Sequence, residues 1–301
     1  MVCWRGASPR VTLEFCPTWG GAITVAAVIN PVSTHRDAPR ARGAVHVSTK
    51  ARGPRTVLDD FRQAGSLKLL FPKRPQPDLQ AVLVNTAGGV TGGDVFNLSA
   101  SVAPDTQLTL TTQAAERAYA AQPDQTGRID TKITVGDGAQ LTWVPQEMIL
   151  FNHARLQRRL TVDLAQTART LITETVVFGR QAMAETVTGG VLDDRITVLR
   201  DGRPLFVDAV RLSGDMAQTL TRPFVGAGAR AVTTLIYVAP DAEAHLDPLR
   251  DRLGPTGGAS LLHDDVLVVR LMSADSFAAR AVLVPLLTDL SGTPLPRTWM
   301  L

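Results

Sequence analysis

The chain has 301 residues, of which 45% are hydrophobic and 20% are charged, and its formal net charge is +3. This composition is sufficient to bury a core and excludes a chain that is disordered throughout. Because acidic and basic residues are interspersed after about residue 60, the sequence lacks the basic stripe of a nucleic-acid-binding protein.

The cysteine content and the apolar stretches indicate the cellular setting. Cys3 and Cys16 are the two cysteines of the chain, which supply neither a disulfide framework nor a four-ligand metal site. The longest apolar stretch, Ala22 to Ile29, is shorter than the ~20 residues that a membrane helix needs. No signal peptide is predicted, since Glu14 interrupts the basic leader. We therefore expect a cytoplasmic protein without a membrane partner.

The chain divides near residue 42. Residues 1–42 are basic, rich in proline and glycine and without sustained periodicity, which predicts an irregular, poorly ordered extension. Strand-like alternation begins at Ala44 to Ser48. We therefore expect one β domain over residues 43–301.

A glycine-paired turn is the most distinctive stretch of the chain. It lies within Ala81 to Leu98, between two short runs that are typical of strands. Paired glycines permit positive φ and close approach, so they predict a tight connection that positions Asp94, the only charged residue of the stretch. A phosphate-binding loop is not predicted, because neither a Gly-x-Gly-x-x-Gly pattern nor a Gly-Lys-Ser/Thr sequence is present.

Short strands continue along the rest of the chain. Gln107 to Thr112 alternates strictly, which predicts buried leucines and exposed threonines. Residues 113–119 are compatible with a helical turn or a strand. Asp201-Gly202 predicts a tight hairpin between its flanking strands. The other predicted strands are Leu67–Phe71, Ile129–Val135, Gln140–Val144, Arg158–Leu164, Leu171–Phe178, Ala231–Val238 and Val266–Leu271.

Helices are predicted only late in the sequence. One is expected over about Ala242 to Leu253 with Asp241 as its N-cap, and another over about Ala274 to Leu290 with Ser273 as its N-cap. The buried face of the second helix is predicted to carry Phe277, Ala281, Val284 and Leu287. Many short strands without βαβ alternation favour a mainly β fold, which is a sandwich, a barrel or a layered solenoid.

Candidate chemical groups are mostly carboxylates. The five histidines are scattered and do not form a ligand cluster: His35, His46, His153, His245 and His263. Glu147, Glu174 and Glu185 are the notable acids, and Glu174 stands within an apolar strand where an unpaired charge is costly. An outward, solvated position is one interpretation of Glu174. Paired carboxylates also permit an alternative function, a β-helical enzyme that acts on carbohydrate.

One motif resembles the signature of a known family. Thr86 to Asp94 reads Thr-Ala-Gly-Gly-Val-Thr-Gly-Gly-Asp, which is similar to the Pro-Pro-Gly-Gly-x-x-Gly-Gly-Asp motif of the urease accessory protein UreD family, also called UreH. Thr86 and Ala87 stand where the family has two prolines. The glycines and Asp94 are present.

Four further motifs resemble this family in the same order, whereas residues 1–42 have no recognisable counterpart. They are Leu110–Tyr119, Trp143–Phe151, Phe178–Arg180 together with Ala184–Glu185, and Pro296–Trp299. Ala184 replaces a usual glycine. Because the motifs run to residue 299, the chain is identified as a member of the UreD family.

The resemblance implies a maturation factor and not an enzyme. Family members bind apo-urease and recruit UreF and, through UreF, the GTPase UreG, which implies a hetero-oligomeric complex for nickel insertion. Nickel(II) is expected in transit, with no permanently bound cofactor.

The resemblance also implies a fold and a set of site residues. The family fold is an elongated, layered β-helical arrangement with two helices, and we expect helices only near the C-terminus here. An internal passage is proposed to carry nickel in the family. The motif positions make four carboxylates candidates for lining it: Asp94, Glu147, Glu174 and Glu185.

Overall fold

The computed structural model describes residues 39–300. Cys3, Cys16, His35 and most of the predicted extension lie outside the described residues. The first strand begins at Arg42, which is within one residue of the predicted start of the β domain.

Within residues 39–300, the chain forms seventeen strands and three α-helices. The strands are β1 Arg42–Arg52, β2 Arg55–Gly65, β3 Leu67–Leu70, β4 Leu79–Asn85, β5 Val95–Val102, β6 Gln107–Thr112, β7 Glu116–Ala118, β8 Gly127–Val135, β9 Gln140–Trp143, β10 Met148–Leu150, β11 Arg155–Leu164, β12 Arg169–Phe178, β13 Val191–Arg200, β14 Arg203–Ser213, β15 Ala231–Val238, β16 Gly257–His263 and β17 Val266–Ser273. The helices are α1 Met216–Thr221, α2 Leu246–Leu253 and α3 Ser276–Ser291, and short 3-10 helices cover Gln181–Met183, Glu243–His245 and Arg297–Trp299.

Two sheets form a β-solenoid of about four turns, which confirms the layered β-helical prediction. Sheet A has seven strands in the order β14-β13-β11-β8-β5-β1-β2, and sheet B has ten, with the path β16-β17-β15-β12-β9-β6-β4-β3. Successive turns pair in parallel, so that Leu98 of β5 lies beside Thr131 of β8, and Thr131 lies beside Leu160 of β11. Residues at equivalent positions of successive turns therefore stack on one another.

A short third side completes the turns between the two sheets. β7 and β10 pair in parallel, and β10 pairs with the second half of β12. Val90 forms an isolated parallel bridge with Ala118 at the end of β7. The corner after β4 therefore stacks on the corner after β7.

Two cores hold the fold together. One lies between the sheets and includes Leu98, Leu141 and Leu160. The other lies on the outer face of sheet B, where α3 contributes Leu283 and Leu287. Sheet B is thus buried on both faces, and for this reason its strands read as continuous apolar runs.

The strand predictions hold better than the helix predictions. All the predicted strands are present, residues 113–119 contain the short strand β7, and Asp201-Gly202 forms the predicted hairpin with φ of +49° and +72°. The predicted exposure of the threonines in β6 is wrong, because Thr111 is only 1% exposed. Its hydroxyl donates to the Val144 carbonyl at 2.7 Å beneath the C-terminal segment.

The helix predictions need four corrections. α1 was not predicted, so helices are not confined to the C-terminal region. Asp275 caps α3 instead of Ser273, and Asp241 accepts a hydrogen bond from the Tyr237 hydroxyl instead of capping a helix. The predicted buried face of α3 is also wrong, because Phe277 is 82% exposed and Ala281 is exposed as well. The observed buried face consists of Ala279, Leu283, Leu286, Leu287 and Leu290.

Candidate functional site

The glycine-paired turn is the corner between the two sheets. β4 belongs to sheet B and β5 to sheet A, so the chain must change direction sharply between them. Gly88 and Gly89 have φ of +77° and +155°, which side chains rarely permit. A Cβ added to Gly89 would lie 2.2 Å from the ring of Tyr119. The second glycine therefore makes room for an aromatic side chain of the next turn.

Asp94 stabilises this corner by accepting hydrogen bonds from two backbone N–H groups. It is 5% exposed, and its Oδ2 accepts the N–H of Thr91 at 2.8 Å. Its Oδ1 accepts the N–H of Ala41 at 2.7 Å, which connects the corner to the chain just before β1. Both carboxylate oxygens are thus engaged in holding the backbone.

Glu185 lies beside this corner in a row of contacting motif residues that includes Arg180, Phe151 and Tyr119. Its carboxylate receives two hydrogen bonds from the Arg180 guanidinium at 2.9 and 3.0 Å. That guanidinium lies 4.3 Å from the ring centroid of Phe151, which packs edge-to-face on Tyr119. The hydrogen bonds from Arg180 lower the pKa of Glu185 to about 2. The residue is therefore a charged structural partner of Arg180.

Glu147 lies at the junction between sheet B and the C-terminal segment. Arg280 of α3 contacts its carboxylate at 3.2 Å and also donates to the side-chain oxygen of Gln146. The same guanidinium donates to the Trp299 carbonyl at 2.9 Å, and the Trp299 indole donates to the Val144 carbonyl. The motif at 143–151 and the motif at 296–299 are therefore joined by Arg280.

Glu174 points into the solenoid, so the outward interpretation is wrong. Its side chain is 6% exposed, and its Oε1 accepts the indole N–H of Trp143 at 2.7 Å. Arg158 donates to its other oxygen and forms a two-pronged ion pair with Asp194, in which Nε lies 2.9 Å from Oδ1. One guanidinium is thus shared by two buried carboxylates.

Burial and the opposite charges of neighbouring groups have opposing effects on the pKa values of Glu174 and Arg158. Burial raises the pKa of Glu174, and Arg158 opposes this shift. Burial also disfavours the charge of Arg158, but Asp194 and Glu174 outweigh that cost and raise its pKa. The guanidinium is accordingly held charged between the carboxyl groups of Glu174 and Asp194.

Glu174 also lines a cavity of about 200 Å³ between the two sheets. A second ion pair stands in the cavity wall, where Arg270 of β17 donates to Asp208 of β14 at 2.8 Å. Thr234 lies between Glu174 and this second ion pair, because it is the cross-strand neighbour of both Glu174 and Arg270. Polar side chains therefore line a cavity whose other lining residues are mainly apolar.

The four predicted carboxylates do not form one site. Glu174 alone among them lines this cavity, whereas Asp94, Glu147 and Glu185 are held in three other places. In residues 39–300 no group of three or more His, Cys, Asp or Glu side chains is arranged to hold a metal ion. None of the helices in that range is long and apolar enough to cross a membrane.

The charged neighbours of Glu174, Arg158 and Asp194, were not predicted from the sequence. Arg158 stands between Leu156 and Leu160, and Asp194 stands between Leu192 and Ile196, each at an inward position of a parallel strand. A charge at an apolar position of the alternation was the available signal. Its meaning depended on register, since Arg158 and Asp194 are direct neighbours across β11 and β13.

Comparisons with known proteins agree with the motif resemblance. Residues 41–300 match the model of a family described as UreD urease accessory protein. Proteins named urease accessory protein UreD are similar along most of the chain. One from Roseobacter denitrificans is 46% identical over 269 residues, which are 89% of this chain and 98% of the relative. One from Ruegeria sp. strain TM1040 is 49% identical over 87% of this chain and 91% of the relative. One from Agrobacterium fabrum is 40% identical over 87% and 92% respectively.

Proposed function

Because the chain belongs to the UreD family of urease accessory proteins, we propose that it binds apo-urease and recruits UreF and, through UreF, the GTPase UreG. In this role it is a scaffold of a nickel-insertion complex and not an enzyme. The match over residues 41–300 supports the assignment, since it spans both cores and all five motifs. The carbohydrate-enzyme alternative is disfavoured, because Glu147, Glu174 and Glu185, the acids on which it was based, lie apart with separate arginine partners.

We infer further that nickel(II) passes the cavity that Glu174 lines. The observation that carries this step is a buried cluster of two carboxyl groups, Glu174 and Asp194, that share one guanidinium at the wall of a cavity between the sheets. Asp94, Glu147 and Glu185 have structural partners elsewhere, so Glu174 is the remaining candidate of the four. Asp194 and Asp208 also line this cavity, so its wall contains three acidic side chains.

The carboxylates that line the cavity suit the transfer of nickel(II) better than its storage. Carboxylate oxygens without imidazole or thiolate bind nickel(II) weakly, since the stronger protein ligands for this metal are nitrogen and sulfur. Arg158 and Arg270 also compete with a cation for the same carboxylates. A weakly held ion can leave again, which a passage requires.

The test is co-expression of variants with the urease operon. Glu174→Gln keeps the side-chain volume and replaces the carboxyl group with an amide, and we expect it to lower nickel per urease active site while UreF and apo-urease are still captured. Glu185→Gln is the matched control, because Glu185 is absent from the cavity wall. Normal nickel loading with Glu174→Gln would reject the passage and leave the scaffold role standing. Failure of the wild type to capture either protein would reject the scaffold role itself.

A further inference from the structure

A small polar cavity lies at the outer face of sheet B, beside the end of α3. It has a volume of about 30 Å³ and is bounded by Asp78 before β4, by side chains of β6 and β9, and by Ser291 and Thr293. We call it the Asp78 pocket, and it shares no lining residue with the cavity that Glu174 lines. A cavity of this volume has room for about two water-sized particles. Its ligand is therefore a small ion or water and not an organic molecule.

Two pairs of side chains with oxygen atoms form one side of the Asp78 pocket. Gln107 of β6 is the direct neighbour of Gln140 of β9. Thr109 of β6 is the direct neighbour of Thr142 of β9 in the same way. Since side chains alternate along a strand, all four lie on the same face of sheet B. The two threonines are each 7% exposed, so the parallel register brings hydroxyl and amide oxygens together at a largely buried place.

Asp78 supplies a carboxylate oxygen that has no partner. Its side chain is 7% exposed, and its Oδ2 accepts the hydroxyl of Thr109 at 2.8 Å and lies 3.5 Å from the Arg74 guanidinium. Its Oδ1 is buried and accepts no hydrogen bond, and within residues 39–300 it is the only buried carboxylate oxygen of which this is true. A buried acceptor without a partner is costly. The carboxylate therefore requires a further ligand on its Oδ1 side.

The end of α3 makes the opposite side of the Asp78 pocket favourable for a positive charge. α3 ends at Ser291, and the carbonyl groups of its last turn place a partial negative charge at this end. The Ser291 hydroxyl donates its hydrogen to the Thr293 carbonyl at 2.8 Å. Its oxygen lone pairs are thus available to a cation. The pocket combines a carboxylate, hydroxyl and amide oxygens and the negative end of a helix.

These donors distinguish between classes of cation. Among the described residues, the lining has neither imidazole nor thiolate, so it suits a hard cation better than a transition metal. Arg74 offsets the charge of Asp78, which is the only carboxylate of the lining. One offset carboxylate does not compensate for removing a divalent cation from water, and Ca²⁺ sites of proteins accordingly use several charged ligands. A monovalent cation is more easily dehydrated and fits this donor set.

We propose that the Asp78 pocket binds a monovalent metal cation, Na⁺ or K⁺. The ion connects the segment before β4 and the end of α3 through oxygen atoms of both and of sheet B. It therefore stabilises the packing of α3 on the outer face of the sheet. This inference is independent of the proposed function, because it concerns a separate cavity.

Thermal unfolding of the full-length protein in three salts at equal ionic strength tests the proposal. KCl and NaCl supply the ion, whereas the cation of choline chloride is too large for the pocket. We expect the Tm to be higher in KCl or NaCl and to rise with the concentration of that salt. At about ten times the Kd, linkage predicts a shift of about 2 to 4 °C. Equal Tm values in all three salts would overturn the proposal, because water alone would then be the ligand.

Asp78→Asn removes the charge of the carboxylate and keeps the side-chain volume. We expect its Tm to be the same in the three salts, since the pocket no longer favours a cation. Asp289→Asn is the matched control, because Asp289 also lies near the end of α3 but is 52% exposed and pairs with Arg252. The control should keep the wild-type difference between the salts. A difference that persists in Asp78→Asn would place the ion elsewhere and overturn the proposal.

Thr142→Val is a second variant, and it leaves the charge of the pocket unchanged. It keeps the shape of the side chain and removes one oxygen atom. We expect its Tm in choline chloride to be unchanged or higher and the additional stabilisation by KCl or NaCl to be smaller. Thr142→Ser keeps the hydroxyl and should keep that stabilisation. A salt response of Thr142→Val equal to that of the wild type would overturn the assignment of the ion to this pocket.

CaCl₂ added to the protein in choline chloride tests the charge of the ion. We expect no shift of the Tm comparable to that in KCl or NaCl, for the reason of dehydration given above. A larger shift in CaCl₂ that Asp78→Asn abolishes would assign the pocket to a divalent cation and overturn the choice of a monovalent one.

Discussion

Asp94, Glu174 and Glu185 each accept hydrogen bonds from a different set of partners. Asp94 accepts two backbone N–H groups, Glu174 shares the guanidinium of Arg158 with another acid, and Glu185 pairs with Arg180 near the surface. The same residue type therefore has different tasks in different surroundings. Asp94 fixes backbone, whereas Glu174 is part of a charged cluster inside the core.

Replacing Asp94 is expected to cost stability. In Asp94→Asn the new amide nitrogen cannot accept a hydrogen bond, so the N–H of Ala41 or Thr91 loses its partner. We expect the free energy of unfolding to fall by about 1 to 3 kcal/mol, measured by urea denaturation. Asp124→Asn, at an exposed loop position, is the control and should leave stability unchanged. Equal stability of both variants would contradict a structural role for Asp94.

The pKa of Glu185 predicts a pH-dependent contribution to stability. Its folded pKa of about 2 lies below the ordinary glutamate value of 4.5, so its contribution is present above pH 4.5. The contribution is lost as the pH falls from 4.5 towards 2, because protonation then removes the ion pair with Arg180. The stability difference between wild type and Glu185→Gln should therefore shrink over this range. Urea denaturation at several pH values measures it, and a constant difference would contradict the assigned pKa.

At the scale of elements, the corners of the solenoid carry the family motifs. The corner after β4 meets Tyr119 from the corner after β7, and Tyr119 packs on Phe151 after β10. Arg180, which follows β12, continues the stack. Corner residues contact one another because the turns are parallel and in register. Small residues such as Gly89 are then needed where a neighbouring ring enters.

Gly88 and Gly89 provide a matched pair for this interpretation. An added Cβ meets nothing within 4 Å at Gly88, so Gly88→Ala should cost only the strain of positive φ, about 1 to 2 kcal/mol. At Gly89 the Cβ would lie 2.2 Å from Tyr119 and 2.7 Å from the Arg117 carbonyl oxygen. Gly89→Ala should therefore cost about 1 to 3 kcal/mol more. Denaturation curves compare the two variants, and equal losses would contradict the packing argument.

At the scale of the molecule, two cores share sheet B. Its inner face packs on sheet A, and its outer face packs on α3 and the C-terminal segment. Arg280 and Trp299 connect that segment to the strand region that includes Val144. Antiparallel pairing of β2 with β1 and of β14 with β13 places a hairpin at each end of sheet A.

Ala41, which precedes the predicted β domain of residues 43–301, makes two hydrogen bonds at the corner between β4 and β5. Ala41 donates to Asp94, and its carbonyl accepts the N–H of Val95 at 3.0 Å. We expect a chain that lacks residues 1–38 to keep its Tm, because the predicted extension has no apolar periodicity. A chain that lacks residues 1–42 should have a lower Tm, since it loses both contacts of Ala41. Thermal unfolding of the two deletions tests this, and equal Tm values would place the boundary elsewhere.

Sequence alone was enough to predict most of the strands, the hairpin at Asp201-Gly202 and the family, whereas β2, β10 and β16 were not predicted. Strand positions follow from local alternation, and tight turns follow from residues that adopt positive φ, so neither depends on distant contacts. The motifs identified the family because their order along the chain needs no structure. The choice among sandwich, barrel and solenoid could not be made from periodicity, because all three produce short, alternating strands.

The burial and the partners of the candidate residues depend on the tertiary structure. Thr111 is buried and Phe277 is exposed because α3 and the C-terminal segment cover sheet B along one particular face. Glu174 points inward beside Arg158 and Asp194, which are 16 and 20 residues away from it in the sequence. A one-residue change of register would separate these side chains. Register depends on the packing of whole turns, and no short stretch of sequence contains that information.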